Sequence, residues 1–156
     1  MSQLIAPPVF QLGHIGLNVT DADRSRAFYQ RVFGLELHGE STGPEHRYVY
    51  LGQDGKTLVT LWEQSKGAFA ADTPGLHHLA FRVESVERLH ELEQVLRELG
   101  AEFAHEGVVP HREGADSGGL FFTDPDGLRL EAFTTGGVAA EGTDAPSGAA
   151  PTCGFF

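Results

Sequence analysis

A repeated histidine-led strand pattern constrains this chain more than any other feature. The first copy is His14-Ile-Gly-Leu-Asn-Val19 and the second is His78-Leu-Ala-Phe-Arg-Val83. Each copy has a histidine, alternating apolar residues and a valine five positions on. Because successive side chains of a strand alternate between its two faces, each histidine points away from the apolar residues that would pack against a helix. The pattern therefore predicts two copies of one unit, each with a histidine on its open face.

The segments that follow each copy repeat the same order of elements. In the first copy, Thr20 or Asp21 is the predicted cap of a helix. In the second copy, Ser85 is the predicted cap of a helix that ends at Gly100. We therefore predict an α+β fold, in which two βαβββ modules form a curved, barrel-like mixed sheet around one cavity. The apolar stripe of the second helix is Val86, Leu89, Leu92, Leu96 and Leu99. The predicted strands are 13–19, 35–40, 47–51, 57–62, 77–83, 101–105, 119–123 and 128–133.

Changes in composition mark the predicted boundaries. Pro7 and Pro8 prevent regular structure near the beginning, and Pro74-Gly75 separates the two modules. The last residues are rich in glycine and alanine, so we expect a mobile tail unless Phe155 and Phe156 anchor it. The predicted parts are an arm at 1–9, a single domain at 10–133 with module one at 10–73 and module two at 74–133, and a tail at 134–156.

The charge and cysteine content exclude several classes of protein. Eleven Lys and Arg stand against 22 Asp and Glu, a net charge of −11. Nucleic acids and anionic membranes require clustered positive charge, so neither is an expected partner. The single cysteine, Cys153, excludes an internal disulfide and a cysteine-based zinc site. We find no signal peptide and no apolar run near the roughly 20 residues of a transmembrane helix, so the expected location is the cytoplasm.

Two histidines and a glutamate together predict a metal site. Glu131 lies on the predicted last strand, on the face opposite Leu130 and Ala132, and therefore on the histidine side. A buried carboxylate is costly unless it is paired or bound to metal. Two imidazoles and one carboxylate are a common ligand set for a divalent first-row metal that also binds substrate. For His14 or His78 alone, a hydrogen-bonded structural role is the better interpretation, but three ligand-type residues at matching positions favour metal.

The same residues carry a resemblance to a known family. From about Pro8 to Phe133 the chain resembles the vicinal oxygen chelate superfamily, which includes glyoxalases, extradiol dioxygenases, fosfomycin-resistance enzymes and bleomycin-binding proteins. The resemblance implies one divalent metal ion held by His14, His78 and Glu131. It does not distinguish among Fe²⁺, Mn²⁺, Zn²⁺ and Ni²⁺. It also implies a small-molecule substrate and a homodimer. The resemblance rests on five segments: His14-Ile-Gly-Leu-Asn-Val, Phe28-Tyr29, Phe33-Gly34-Leu35, His78-Leu-Ala-Phe and Phe122-Thr-Asp-Pro-Asp-Gly-Leu-Arg-Leu-Glu131.

Departures from subfamily patterns concern the predicted substrate site. The carboxylate that is a fourth ligand in glyoxalase I-like enzymes aligns with Thr60, which with Trp62 is expected to face the cavity. Glu63 has the wrong parity and is interpreted as a mouth or surface residue. Phe121 stands where extradiol dioxygenases have a tyrosine, so efficient ring cleavage is not expected. Phe121 is instead an apolar wall of the predicted substrate site.

Arg129 shares the predicted face of Glu131. It is a candidate for binding a substrate carboxylate or phosphonate. An ion pair with Glu131, or a place at the mouth of the cavity, is an equally good interpretation. His77 is expected on the opposite face from His78. Five further histidines are expected at the surface, with His111 singled out because its glycine-containing loop could fold over the cavity; the other four are His38, His46, His90 and His105.

Two functions follow from these predictions. The first is a metal-dependent enzyme of the glyoxalase or dioxygenase type, a lyase, isomerase or dioxygenase in which Glu131 is both a ligand and a catalytic residue. The metal would act as a Lewis acid on two adjacent substrate oxygens. The alternative is a non-catalytic protein that sequesters an antibiotic or metabolite, as bleomycin-resistance proteins do. The retained ligands weigh against that alternative.

Overall fold

The chain folds into two sheets that each carry one helix. A computed structural model describes residues 9–146 and 154–155. Residues 1–8 of the predicted arm and residues 147–153 and 156 of the predicted tail lie outside the described part. They include Pro7, Pro8, Cys153 and Phe156. The elements are β1 (Ile15–Val19), α1 (Ala22–Phe33), β2 (Glu36–Ser41), β3 (Tyr48–Gln53), β4 (Lys56–Glu63), β5 (Leu79–Arg82), α2 (Val86–Glu98), β6 (Val109–Pro110), β7 (Gly118–Thr123) and β8 (Arg129–Thr134), with a short 3-10 helix at Ala139–Glu141.

The two sheets have the same topology. The first has the order β1-β4-β3-β2 and the second the order β5-β8-β7-β6. In each sheet the leading strand is parallel to the last strand of its module, and the other neighbours are antiparallel. The predicted α+β class and the βαβββ order of both modules are confirmed. Within one chain the two sheets remain separate and do not close into a barrel.

Both helices begin where the sequence predicts, and α1 also ends at the predicted glycine. The Asp21 side chain accepts a hydrogen bond from the Arg24 amide at 2.9 Å, and Ser85 accepts one from the Arg88 amide at 3.2 Å. Gly34 ends α1 with a φ of 65°, a conformation that favours glycine. The predicted stripe of α2 is buried except for Leu99, which is 45% exposed. The prediction for Leu99 is wrong because α2 ends at Glu98, so Leu99 caps the helix and leaves the packed face.

One predicted strand is misplaced. Residues 101–105 were expected to form a strand, but only Phe103 forms a bridge, with Phe122. Hydrogen bonds from the Ala104 amide and to the Glu102 carbonyl still hold this segment beside β7. Gly107, at a φ of 68°, then turns the chain before β6 forms inside the predicted loop.

A single hydrophobic core joins the two modules. The apolar faces of β1, β4, β7 and β8 and the inner faces of both helices belong to one buried cluster. Phe33 of α1 stacks on Phe81 of β5 with ring centres 4.0 Å apart. Because the helix-side faces of both sheets supply this core, the histidine faces of both sheets lie outside it. Among the described residues, no helix has the length and apolar character needed to cross a membrane.

A buried polar network also ties module one to the turn between β7 and β8. The Tyr29 hydroxyl donates to the Asp124 carboxylate at 2.9 Å, and Arg24 pairs with Asp126 at 2.8 Å. Burial raises the pKa of Asp124, although hydrogen bonds from the Leu128 amide and Tyr29 oppose this. Burial, followed by the Asp124 charge, raises the pKa of Tyr29 well above its ordinary value. Asp124 is therefore the buried group of this network that contacts both Tyr29 and the turn.

Candidate metal and substrate site

Glu131 is the centre of the candidate site. It lies on β8 between Ala80 of β5 and Phe121 of β7, and only 5% of its surface is exposed. His78 immediately precedes β5, and its Nε2 atom lies 3.3 Å from Glu131 Oε2. The sequence pattern therefore brings His78 and Glu131 together as predicted. A carboxylate this deeply buried requires cationic, hydrogen-bonding or metal partners.

His111 is the second partner of Glu131. Its Nε2 atom lies 2.5 Å from Glu131 Oε1, and its Nδ1 atom lies 3.0 Å from the Ser117 hydroxyl. The side chain reaches the site because His111 follows β6, which pairs with the beginning of β7. His111 is therefore partly buried at the site, as the sequence suggested for its glycine-containing loop. It is not a surface residue like those expected for the other histidines of its group.

Two further histidines depart from the sequence predictions. His77 was expected to face away, but its Nδ1 atom lies 3.0 Å from His78 Nδ1. The parity argument fails because β5 begins at Leu79, so His77 is not part of the strand. His105 was expected at the surface, but its Nε2 atom lies 2.5 Å from the Gly154 carbonyl oxygen. That contact comes from the tail, far away in sequence, and no local pattern around His105 signals it.

The tail segment covers the open face beside Glu131. Phe155 packs edge-on against Phe121, with ring centres 5.5 Å apart. The Arg129 guanidinium lies 5.5 Å from the Phe155 ring centre, a cation–π arrangement. Within the described residues, Arg129 forms no ion pair with Glu131, so that alternative is not what the structure has. Phe121 is 1% exposed and carries no hydroxyl group, as the sequence indicated.

The other predicted residues lie on the first sheet. His14 precedes β1 and is exposed. Thr60 is 3% exposed and accepts a hydrogen bond from Trp62 Nε1 at 2.9 Å. Tyr48 and Tyr50 stack near the indole ring and complete an aromatic surface on this face. His14, Thr60 and Trp62 are thus on a different sheet from His78 and Glu131.

Glu63 has a structural role. One of its carboxylate oxygens accepts a hydrogen bond from the Ala22 amide at 2.8 Å and one from Arg47 Nε at 3.2 Å. Ala22 is the first residue of α1, where a carboxylate is stabilised by the unpaired amides and the helix dipole. Glu63 therefore anchors α1 to the end of β4, in agreement with its parity.

Among the described residues, the donor atoms of this face fit a divalent metal in type but are too few to hold one. Glu131 and His78 supply an oxygen and a nitrogen on the same face, and both atoms are ordinary ligands of first-row metals. Within residues 9–146 and 154–155, no group of three His, Cys, Asp or Glu side chains is arranged to hold a metal ion. The third predicted donor, His14, belongs to the other sheet. A complete ligand set therefore requires a donor from outside this face.

The fold and this site define a class of proteins built from paired βαβββ modules. The model of the Glyoxalase/Bleomycin resistance protein/Dioxygenase superfamily matches residues 11–132. The chain belongs to this superfamily, which confirms the resemblance.

Known proteins of several activities are similar to the chain. It is 31% identical to a lactoylglutathione lyase of Haemophilus influenzae, over 78% of this chain and 90% of that protein. It is 28% identical to a 1,2-dihydroxynaphthalene dioxygenase of Sphingobium xenophagum, over 80% of this chain but only 39% of that protein.

Solved structures share the fold. A glyoxylase/bleomycin resistance protein/dioxygenase domain from Frankia has a TM-score of 0.70 and 26% identity, over 82% of this chain and 99% of that one. The fosfomycin resistance protein FosX from Listeria monocytogenes, complexed with Mn(II) and sulfate, has a TM-score of 0.62 and 22% identity, over 81% of this chain and 93% of that one.

Proposed function

We propose that this protein is a divalent-metal-dependent enzyme that acts on a small substrate bound through two adjacent oxygens, with His14, His78 and Glu131 as metal ligands. The observation that carries the proposal is the burial of Glu131 beside His78 on an open sheet face. A lone buried carboxylate at this position would destabilise the fold, whereas a metal-binding carboxylate has a function there. The lactoylglutathione lyases and the manganese-bound FosX support the same chemistry.

We further propose that a second copy of the chain completes the site. His14 is exposed on the first sheet, and its face lies outside the core that joins the modules. His14 precedes a strand of the first sheet, whereas Glu131 of the same chain belongs to the second. A symmetric homodimer would instead place the first sheet of one copy opposite the second sheet of its partner. The apolar side chains of Phe10 and Leu12, 88% and 81% exposed, are available for such an interface.

Each residue has a defined role in this proposal. A bound metal would supply a Lewis acid that stabilises negative charge on a substrate oxygen. Glu131 is held in one orientation by His111, whose other ring nitrogen is fixed by Ser117. Arg129 supplies a positive charge for an anionic group of the substrate, and Phe121 supplies an apolar wall. Since a phenyl ring cannot exchange a proton, Phe121 does not favour extradiol ring cleavage.

Thr60 and Trp62 would complete the substrate site from the partner's first sheet. Their mutual hydrogen bond leaves the indole ring half-exposed, so Trp62 can pack against the apolar body of a substrate.

Elemental analysis of protein purified without added metal tests this proposal directly. We expect one first-row divalent ion per chain, which a chelator removes and which Mn²⁺, Fe²⁺, Ni²⁺ or Zn²⁺ restores in a calorimetric titration. Hemithioacetal isomerisation, epoxide opening and oxygen uptake with catechols are then measured with the metal found. Protein that binds no metal but binds small aromatic ligands would contradict the proposal and favour a sequestering protein instead.

A further inference from the structure

The segment Gly154-Phe155 lies where a substrate would have to bind. We propose that these two residues, called the strap below, are an autoinhibitory element that occupies the substrate space beside Glu131 until substrate displaces it. This inference rests on the function proposed above, because it takes Arg129 and Phe121 as substrate-binding residues. The strap engages both of these groups in the structure.

Gly154 fits the site closely. It is buried, and its φ of 80° is a conformation that favours glycine. A Cβ atom at this position would lie 2.3 Å from a carbon of the Phe121 ring. The Gly154 carbonyl oxygen also accepts a hydrogen bond from His105, which faces the Phe121 ring edge-on at 5.9 Å. Any larger residue at 154 would therefore push the strap away from the sheet.

Phe155 covers the proposed ligand His78. The two ring centres are 5.9 Å apart, and the Arg129 guanidinium lies 5.5 Å from the centre of the same phenyl ring. A substrate that brings an anionic group to Arg129 and an apolar group to Phe121 must remove Phe155 from both. The strap and the substrate therefore compete for one surface.

The contacts of the strap suit a reversible element. Among the described residues they include one hydrogen bond, three ring contacts and one cation–π contact, each of which is individually weak. Because the strap belongs to the same chain, its effective concentration at the site is in the range of about millimolar. A substrate opens the strap when its concentration divided by its Kd for the open site exceeds the ratio of closed to open molecules.

Histidine modification measures the covering directly, without any substrate. Metal-free full-length protein is treated with diethyl pyrocarbonate, and the modification rates of His78, His105 and His90 are followed by peptide mass spectrometry. If the strap is closed in about 80–90% of molecules, Phe155→Ala will speed modification of His78 by about five- to tenfold. His90 on α2 lies away from the strap and will react at an unchanged rate.

Matched variants separate covering from folding. Phe155→Tyr retains the ring and will react at nearly the wild-type rate, and Leu99→Ala, an exposed change elsewhere, will match wild type. Gly154→Val is a second way to open the strap and will raise the rates of both His78 and His105. Rates at His78 that are unchanged in both Phe155→Ala and Gly154→Val would overturn the proposal.

Metal content distinguishes the two proposals. Wild-type and Phe155→Ala proteins that bind equal amounts of Mn²⁺, with faster removal by EDTA from the variant, support the strap as a cover over a working site. Equal removal rates would overturn it. If neither protein binds a metal, the proposed function fails, and with it the autoinhibitory role, whatever the modification rates show about the position of the strap.

Discussion

The open faces of the two modules have the same backbone and different chemistry. In the first sheet Gly16 of β1 pairs with Thr60 of β4, and in the second Ala80 of β5 pairs with Glu131 of β8. Thr60 and Glu131 therefore occupy equivalent positions, and both are buried. Thr60 accepts a hydrogen bond from Trp62 and donates one to the Ile15 carbonyl oxygen, both neutral groups, whereas the Glu131 carboxylate lies beside two imidazole rings.

This difference distinguishes the two modules by the side chains on their open faces. The leading histidine is present in both modules, but His14 remains exposed while His78 lies beside a carboxylate and beneath the strap. An exposed histidine does not require partners, whereas a buried carboxylate must be paired or hydrogen-bonded. The first face therefore presents an accessible histidine and an aromatic surface, and the second presents a buried carboxylate.

The largest expected effect is the loss of metal when a ligand is removed. Glu131→Gln or His78→Ala should weaken metal binding by more than about 100-fold, beyond the range for residues that only support a ligand. Thr60→Val, at the equivalent position of the first sheet, should retain metal because Thr60 supplies no charge. Titration calorimetry with Mn²⁺ measures all three. Full metal content in Glu131→Gln would show that the two faces do not differ as described.

The shared core predicts the next largest effect. Leu92→Ala removes a buried side chain from α2 and should lower the free energy of unfolding by about 2–5 kcal/mol. Leu99→Ala, one step beyond the helix and exposed, should change it by less than about 0.5 kcal/mol. Because both modules share one core, chemical denaturation should show one transition in each variant. Two separate transitions would contradict a common core.

A substitution at His111 tests whether this residue helps Glu131 to bind metal. His111→Ala leaves the carboxylate without one of its two partners and should weaken metal binding by about 10–100-fold. His38→Ala is the matched change in module one, where His38 contacts only Thr57 and Glu36 among the described residues; its metal affinity should stay at the wild-type value. Equal affinities in the two variants would remove His111 from the site.

The smallest effect concerns the polar network between the modules. Burial raises the folded-state pKa of Asp124, so its ionisation destabilises the folded protein. The stability that protonated Asp124 contributes is fully present below the pKa that this group has in the unfolded chain. It is lost as the pH rises through the higher pKa of the folded protein. Asp124→Asn should therefore become more stable relative to wild type as the pH rises through that range. Urea unfolding at a series of pH values measures this, and a difference that is independent of pH would contradict it.

Sequence patterns predicted the fold because they are local. The period of two in β1 and β5 and the helical spacing of α2 depend on neighbouring residues, and the structure confirms them. The pairing of His78 with Glu131 was also predictable, since parallel pairing of the leading and last strands follows from the module order.

The parts that the sequence did not predict depend on distant contacts or on strand ends. His77 departs from its parity because it precedes β5, where alternation no longer applies. His105 and Arg129 contact the strap, which is distant from both of them in sequence. The stacking of Phe33 of module one on Phe81 of module two is a contact between modules, which the spacing within each module does not determine.

The most direct test of the account is the metal content of a mixed dimer. A His14→Ala chain and a Glu131→Gln chain, carrying different affinity tags, are co-expressed and purified through both tags. Each variant alone should bind no metal. If His14 acts on the partner's Glu131, the mixed dimer has one intact site of two and should hold about half of the wild-type metal content per chain. A mixed dimer without metal, beside a wild-type protein that binds it, would contradict the account.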